Sequence, residues 1–549
     1  QFSPDNTDAS YVIDELEINP LVTIDGKLVA TNCKCSFINS IQARAPRPNS
    51  NIDHMLHPAS IGIIGVSASK MNFGRIILKN VLASGYDKSK MVIIRPGEDE
   101  IDGVRCVEDL QSLEQKLDLF IVAIGADSVY SLVDEVIEAD AAEGVMLIPG
   151  GLGETEASRE PVGLMVERIE KAHRNNARAP VFIGGNCLGI VSHPGGYDTW
   201  FIPVEKLPKT RKKDLRNSAF VSQSGAFMIT RLSKNPWIDP SYMIAVGNQN
   251  DLGHGDMLNY FAEHEEIDVI GFYIEGFKDL DGLAFARAAR RAVLKGKQVI
   301  VYKAGQTSVG EDATLGHTAS IAGDFTLCES ILEQAGVMVC SDFGDFSDLF
   351  YLAPLLHKKT FNGNRIGAVS GAGFETVGMA DGLSTDDYSM QMAQLDSTTI
   401  KQLEDILIAK RLDALMEVRN PLDINPGADD EAHLQCVEAL AADPNVDAIV
   451  VGLDPLSPVT KTLEKSARPG FDIYAEDSAV QQYPALVASI EKPVIGIVEG
   501  GKMYDAMIEK LMDQGVCIFR SCEQGMRALV KYTQARMRAD EIRNREKQV

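Results

Sequence analysis

SIGIIGVSASKMNFGRIILKNVLAS, residues Ser60–Ser84, reads as one unit of an open α/β sheet. Ser60–Val66 is short and almost wholly apolar, the pattern of a strand covered on both faces. A polar, glycine-containing turn follows, and Arg75–Ser84 has helical spacing. Glycines at such a turn let backbone N–H groups approach an anion at a helix start. The carboxyl end of a strand is also where open sheets bind ligands. Gly62–Gly74 does not meet GxGxxG, and no GxxxxGK[ST] occurs in the chain, so neither the dinucleotide fingerprint nor the P-loop is present. The plainer reading is a tight strand-to-helix turn.

The same alternation continues through MVIIRP, LFIVAIG, GVMLIPG and VFIGG, starting at Met91, Leu119, Gly144 and Val181, and predicts a parallel, doubly wound domain over 53–200. A basic connector, Lys206–Arg216, leads to a second sheet built from SAFVSQ, YMIAVG, VIGFYIEG and QVIVYKAG, over 215–356. A turn at Lys358–Asn364 opens a third, over 362–535, beginning with RIGAVSGAG (Arg365–Gly373). Glu523–Gln548 reads as a charged helix whose end is 536–549. Before the first sheet, residues 1–38 contain EINPLVTIDGKLVAT (Glu17–Thr31), whose alternation and Asp25-Gly26 turn predict a hairpin too small to fold alone. Residues 39–52 hold the Pro-rich linker ARAPRPNSN, Ala43–Asn51. The fold class is therefore α/β, with three sheet-and-helix domains in tandem.

At 549 residues the chain is too long for one core. Its net charge of −25 argues against nucleic acid or an anionic membrane surface as a general partner. No apolar run approaches the roughly 18–20 residues of a membrane span. The nine cysteines are scattered and form no paired CxxC sets, which argues against zinc and for reduced thiols in a cytoplasmic protein. The chain starts at Gln1 rather than Met, so it reads as processed or incomplete.

Five further stretches carry chemistry. In GGNCLGIVS (Gly184–Ser192), glycines beside Asn186 and Cys187 permit close backbone approach; a nucleophilic thiol would need an activating imidazole, and nothing brings His193 close. In FVSQSGAFMITRLSK (Phe220–Lys234), a strand ends at Ser222, and Ser224-Gly225 opens a helix whose start caps itself or binds an anion. VSGAGFETVGMADGL (Val369–Leu383) repeats this design with Gly371 and Gly373, so two helix starts are expected to converge on one anion. Tyr302–Asp324, with glycines at 305, 310, 316 and 323, reads as a long mobile segment carrying His317. A surface or core imidazole is the plainer reading there. In FYIEGF (Phe272–Phe277), Glu275 ends an apolar strand. It is read either as a capping or ion-paired carboxylate or as the group that orients His317 by accepting from one ring nitrogen.

Taken in order, ELEINPL, GIIGVSAS, GGNCLGI, SQSGAF, AVGNQND, YIEGF, GHTASIAG and NPLDI (Asn420–Ile424) resemble the NDP-forming acyl-CoA synthetases, typified by ADP-forming acetate–CoA ligase and related to succinyl-CoA synthetase. The resemblance covers nearly the whole chain. It implies a Rossmann-like CoA-binding domain and two flavodoxin-like ligase domains, preceded by the tail of an ATP-grasp domain in residues 1–38. It assigns CoA to Gly65, Ser67, Ser69, Lys70, Pro96 and Asn186, and phosphate to Ser222, Ser224, Gly225, Gly371 and Gly373. His317, Glu275 and Glu17 become the catalytic set, with Asn19 and Asn32 on Mg²⁺. The implied substrates are an acyl-CoA or carboxylic acid, phosphate and ATP/ADP. The rest of the ATP-grasp domain is expected upstream or on another chain, and a homo-oligomer or heteromer is implied. The sequence departs from the family pattern at Gly184-Gly185 (usually Gly-Pro), Asn32 (usually Asp), Arg95-Pro96 (usually Asn-Pro) and Ile124-Gly125-Ala126 (usually Val-Pro-Ala). The rival readings are a CoA-binding regulatory protein, a protein acyltransferase subunit on the same scaffold, or a citrate-cleaving relative. The last two would need an added domain.

Overall fold

The computed structural model describes residues 10–39, 46–209, 216–278, 280–317 and 324–548; for 315–317 it describes the backbone alone. Three open sheets follow one another. In the first, strands Ile61–Ile64, Met91–Ile94, Leu117–Val122, Ala142–Leu147 and Val181–Gly184 run parallel, with Ile61–Ile64 between Leu117–Val122 and Met91–Ile94. Their side chains are almost all buried, as a parallel sheet covered by helices on both faces requires.

The second sheet has Ser218–Ser222 at its centre, flanked by Tyr242–Ala245 and Val269–Ile274, with Gln298–Lys303 and Met338–Val339 beyond. Its far edge is built from residues expected to belong to the first domain. Ile190–Ser192 pairs antiparallel with Tyr242–Ala245, and Tyr197–Asp198 pairs with Ile190–Ser192. The chain thus crosses between sheets at 184–189 rather than near 200, because the apolar run Ile190–Ser192 finds an open strand edge there. In the third sheet, Arg365–Ser370 lies beside Ala448–Gly452, followed by Val494–Ile497 and Ile518–Phe519.

One apolar cluster runs through all three sheets, and separate clusters fill the outer faces of the first and third. The expected linker is docked at its end. Arg47 is half-buried and ion-paired with Asp251, Asp256 and Asp281 of the second domain. Buried Asn51 donates to the carbonyls of Glu143 and Ala179 in the first. The last helix is a single element, Cys522–Glu546, with no break at 535/536. It lies on helix Phe343–Leu356 of the second domain and helix Gly373–Asp381 of the third, and its buried Tyr532 hydroxyl donates to Gln298 at 2.7 Å. The amino-terminal segment forms the predicted hairpin. Leu21–Ile24 pairs with Lys27–Ala30 across Asp25-Gly26, both at positive φ, and Tyr11–Ile18 pairs with Cys33–Asn39 outside it.

Candidate functional site

The first crevice lies at the carboxyl ends of the first sheet. Gly65 sits at φ +96°, and a Cβ there would stand 2.3 Å from the Ala123 carbonyl oxygen, so only glycine lets these two strand ends approach. Asn72 caps the following helix by accepting from Arg75 N, and its amide donates to Gly65 O at 2.7 Å. Arg75 and Arg95 brace the turn from either side, donating to the carbonyls of Ser67 and Val66, each at 2.9 Å. Ser69 and Lys70 are exposed on the turn, Ser67 is half-buried, and Pro96 is exposed beyond the neighbouring strand. Asn186, at φ +51°, is exposed beside Gly150 and hydrogen-bonds through its N–H to Pro149 O at 2.8 Å. All six residues expected at CoA therefore lie at one end of one sheet. Arg75, to which sequence reasoning gave no role, is ion-paired with Asp102 at 2.7 Å, and Arg95, noted there as a departure from the family pattern, adds positive charge.

The loop after Val181–Gly184 is also the seam between the first two domains. Asn248 N and Asn250 N donate to the carbonyls of Gly185 and Gly184, both at 2.9 Å, and the Asn248 amide donates to Leu152 O at 2.9 Å. Cys187 points into this seam, with its thiol 2.8 Å from Ala245 O, and burial pushes it up to about 12. His193 pairs instead with Asp239 at 3.4 Å, so among the described residues the thiol has no activating imidazole, and its burial reads as structural.

The second site stands at the carboxyl ends of the second sheet. Ser222 and Tyr273 are partners across adjacent strands, and Glu275 comes two residues later. The Ser222 hydroxyl is buried and donates to Ser224 O at 2.6 Å, which holds the turn. Ser224 is the N-cap, accepting from Phe227 N at 3.2 Å. Ser224 and Gly225 are half-buried and Ala226 is exposed, and the first N–H groups of helix Gly225–Lys234 have no intrahelical acceptor, an anion-ready arrangement. A Cβ on Gly225 would stand 2.6 Å from the Leu188 Cβ, so this helix start is pressed against the loop that carries Asn186. Glu275 is buried, and the hydroxyl of Tyr273 lies against its carboxylate. After Gln298–Lys303 the chain turns at Gly305 into helix Ser308–His317, so half of the segment read as mobile is regular helix. The backbone of His317 ends that helix; its imidazole and residues 318–323 lie outside the described residues.

The third crevice differs from what its glycines suggested. Around the start of helix Gly373–Asp381 stand Glu375, Asp423, Asp454 and Glu499. An Asp423 oxygen lies 2.8 Å from where a Cβ on Gly373 would be, and an Asp454 oxygen 3.3 Å from that of Gly371. Glu375 accepts from the Ser370 hydroxyl at 2.6 Å. Carboxylates so placed neutralise the positive end of the helix dipole and repel phosphate, with His433 Nε2 also 3.3 Å from the Cβ position of Gly371, and no hydrogen bond among the described residues joins this start to that at Ser224. Burial, with Asp454 and Glu499 nearby, pushes Glu375 from the ordinary 4.5 up to about 7. Both folded and unfolded chains hold this proton below pH 4.5, but only the folded chain holds it between there and about 7. Stability therefore falls as pH rises through that window and stays lowered above it. Glu375→Gln is expected to raise the unfolding free energy by roughly 2–3 kcal/mol at about pH 8 and leave it unchanged near pH 4. Urea unfolding at both pH values checks this, and an equal gain at both would remove ionisation as the cause.

On the hairpin, Glu17 is exposed and pairs across the strands with Lys34. Asn19 N donates to Asn32 O at 3.2 Å, so the two expected metal ligands do meet at its base. Both are neutral and exposed, and among the described residues no group of three or more His, Cys, Asp or Glu side chains is placed to hold a metal ion. These two amides do not fit a magnesium site by themselves. No helix among the described residues is long and apolar enough to cross a membrane.

Comparison with known proteins identifies the domains and the family. A family model described as a CoA binding domain matches residues 59–193, and one described as a succinyl-CoA ligase like flavodoxin domain matches 216–353. The chain is 31% identical over 404 residues to the alpha subunit of ADP-forming acetate–CoA ligase II from Pyrococcus furiosus, covering 73% of this chain and 81% of that one. It is 30% identical over 406 residues to ADP-forming acetate–CoA ligase I from Archaeoglobus fulgidus, covering 74% of this chain but only 55% of that one. Among solved structures, the dinucleotide-forming acetyl-coenzyme A synthetase 1 of Candidatus Korarchaeum cryptofilum, in complex with phosphate and ADP, aligns with a TM-score of 0.77 at 24% identity, over 90% of this chain and 98% of that one. That last likeness is one of fold.

Proposed function

We propose that this chain, which belongs to the NDP-forming acyl-CoA synthetases (the ADP-forming acetate–CoA ligase family), carries the half of the reaction that links an acyl-CoA thioester to a phosphorylated histidine. The observation that supports this most is the shared edge of the second sheet. The Ser224 helix start, the buried Glu275 and the helix ending at His317 all follow neighbouring parallel strands.

In the proposed sequence, CoA lies along the first crevice, against Gly65, Ser67, Ser69, Lys70, Pro96 and Asn186. Inorganic phosphate is held at Ser224–Gly225 and attacks the acyl carbonyl; the thioester C–S bond breaks, giving acyl phosphate and CoA thiolate. An imidazole nitrogen of His317 then takes the phosphoryl group, and the carboxylate leaves. Glu275 accepts from the other ring nitrogen and holds the ring in orientation. The phosphoryl group finally passes to ADP near Glu17. The acidic third crevice supports assigning the phosphate to the Ser224 start alone.

Nucleotide binding belongs to further polypeptide, upstream or on another chain. The hairpin supports that reading. Tyr11, Leu16, Ile18, Leu21, Ile24, Leu28 and Phe37 are all exposed, and a hairpin of this size does not hold such a surface in water unaided. We read it as the last part of an ATP-grasp module whose remainder covers these side chains and supplies the Mg²⁺ site.

Incubation with acetyl-CoA and radiolabelled phosphate tests the function. Label is expected on the protein, stable to base and released by acid. A protein that binds CoA but takes up no label would be a CoA-binding regulator instead.

A further inference from the structure

The peptide Glu275–Gly276 lies beyond the end of strand Val269–Ile274, where the sheet ladder stops supplying partners. All four of its main-chain polar groups are nevertheless paired, each to a side chain. Glu275 N and Gly276 N both donate to Gln223 Oε1, at 2.8 and 3.1 Å. Lys303 Nζ donates to Glu275 O at 2.9 Å, and Gln249 Nε2 donates to Gly276 O at 3.0 Å. The three side chains come from three different strand ends, after Ser218–Ser222, after Tyr242–Ala245 and on Gln298–Lys303.

These supports are themselves fixed. Gln223 is 4% exposed, and Gln249 and Lys303 are 1% exposed. Gln223 N donates to Tyr273 O at 3.0 Å. Lys303 also donates to Ala304 O at 2.6 Å. His254 lies with Nδ1 2.8 Å from Gln249 Oε1; burial pushes this imidazole down to about 3, so it is neutral, and because Gln249 Nε2 faces the Gly276 carbonyl, Nδ1 is the nitrogen that donates. The two bonds together hold the amide with Oε1 toward His254 and Nε2 toward Gly276.

Burying two amides and a lysine is costly unless they are paired, and lysine is rarely buried at all. The strands here already have their ladder bonds, so the sheet needs none of the three. What they hold is the backbone of one acidic residue, and the direction of a carboxylate follows from where its Cα is held.

We propose that Gln223, Gln249 and Lys303 are positioning residues whose joint grip on the Glu275–Gly276 backbone aims the Glu275 carboxylate for phosphoryl transfer. The inference rests on the function proposed above. Displacement of a catalytic group by about 1 Å costs on the order of 100-fold in rate.

The test compares Lys303→Met and Gln249→Met, close in length to the native side chains, in the full chain. Labelling from acetyl-CoA and radiolabelled phosphate is timed, and acyl-CoA KM and thermal midpoint are measured alongside. For folded variants the labelling rate is expected to fall about 100-fold, with KM within about threefold. Lys303→Arg, which keeps a cationic donor at this position, is expected to retain clearly more of the rate than Lys303→Met. Where either Met variant does not fold, Gln223→Met, which removes the acceptor shared by Glu275 N and Gly276 N, carries the same expectation.

Folded variants that label at the unsubstituted rate, or lose label only in proportion to their unfolded fraction, overturn the proposal. If the unsubstituted chain takes up no label, the proposed function falls and this inference falls with it. If it does and the variants match it, only the positioning role is lost.

Discussion

Replacing His317 with alanine is expected to abolish ATP formation from acyl-CoA, ADP and phosphate, assayed with the nucleotide-binding polypeptide present, while leaving the dissociation constant for CoA within about threefold. The separation follows from where the two functions lie. The residues proposed for CoA stand at the carboxyl ends of the first sheet, from Gly65 to Asn186. His317 ends a helix that leaves the second sheet after Gln298–Lys303. No hydrogen bond among the described residues ties that helix to the first crevice. A group that carries phosphate between two partners is needed in every turnover, so its loss removes the reaction rather than slowing it. Calorimetric CoA titration, acid-labile label and coupled ATP formation report on the three steps. ATP formation by the alanine variant at a tenth of the normal rate or more would mean that acyl phosphate reaches ADP directly, and the phosphohistidine would be discarded.

The architecture was legible because its signal is local. Strands such as IGII (Ile61–Ile64) and VIGI (Val494–Ile497) are apolar throughout, the mark of parallel strands covered on both faces, and each is followed by helical spacing. The hairpin turn was legible because Asp25-Gly26 takes the positive φ values that such a turn requires.

What escaped the sequence depends on partners far along the chain. Ile190–Ser192 carries no mark of which sheet it joins; an open edge on Tyr242–Ala245 decides that. The glycines of Val369–Leu383 predicted a strand, a turn and a helix, and all three are present. They could not announce the carboxylates of Asp423, Asp454 and Glu499, which arrive from other strands and turn an anion-ready motif acidic. Gln223 and Lys303 stood inside quoted motifs without a role. A lysine closing the apolar run Gln298–Lys303 was the available signal, since its burial requires partners.

Gly247→Ala is the second substitution expected to be severe, and the reason is geometric. Gly247 sits at φ +56°, in the loop that meets Gly184–Cys187 across the domain seam, and a Cβ there would stand 2.1 Å from Gly185 O and 2.8 Å from Asn186 O. Left-handed backbone alone costs alanine about 1 kcal/mol. The carbonyl of Gly185 cannot move aside cheaply, because it accepts from Asn248 N at 2.9 Å, and the next bond, Asn250 N to Gly184 O, is also 2.9 Å. Opening the seam leaves these buried groups unpaired, which brings the total to about 3 kcal/mol or more. It also displaces Asn186, and with it the place where CoA is proposed to meet the Ser224 helix start. A fall in kcat/KM for acyl-CoA of about 100-fold is therefore expected alongside a lower unfolding midpoint. Gly470→Ala separates the two causes. Gly470 has φ +68° but no atom within 4 Å of its Cβ position, so that variant is charged with backbone strain alone. It is expected to lose only about 1 kcal/mol and to keep its activity. Should the two alanine variants unfold at the same midpoint and turn over alike, the seam yields more easily than its contacts imply, and the two crevices do not depend on it for their alignment.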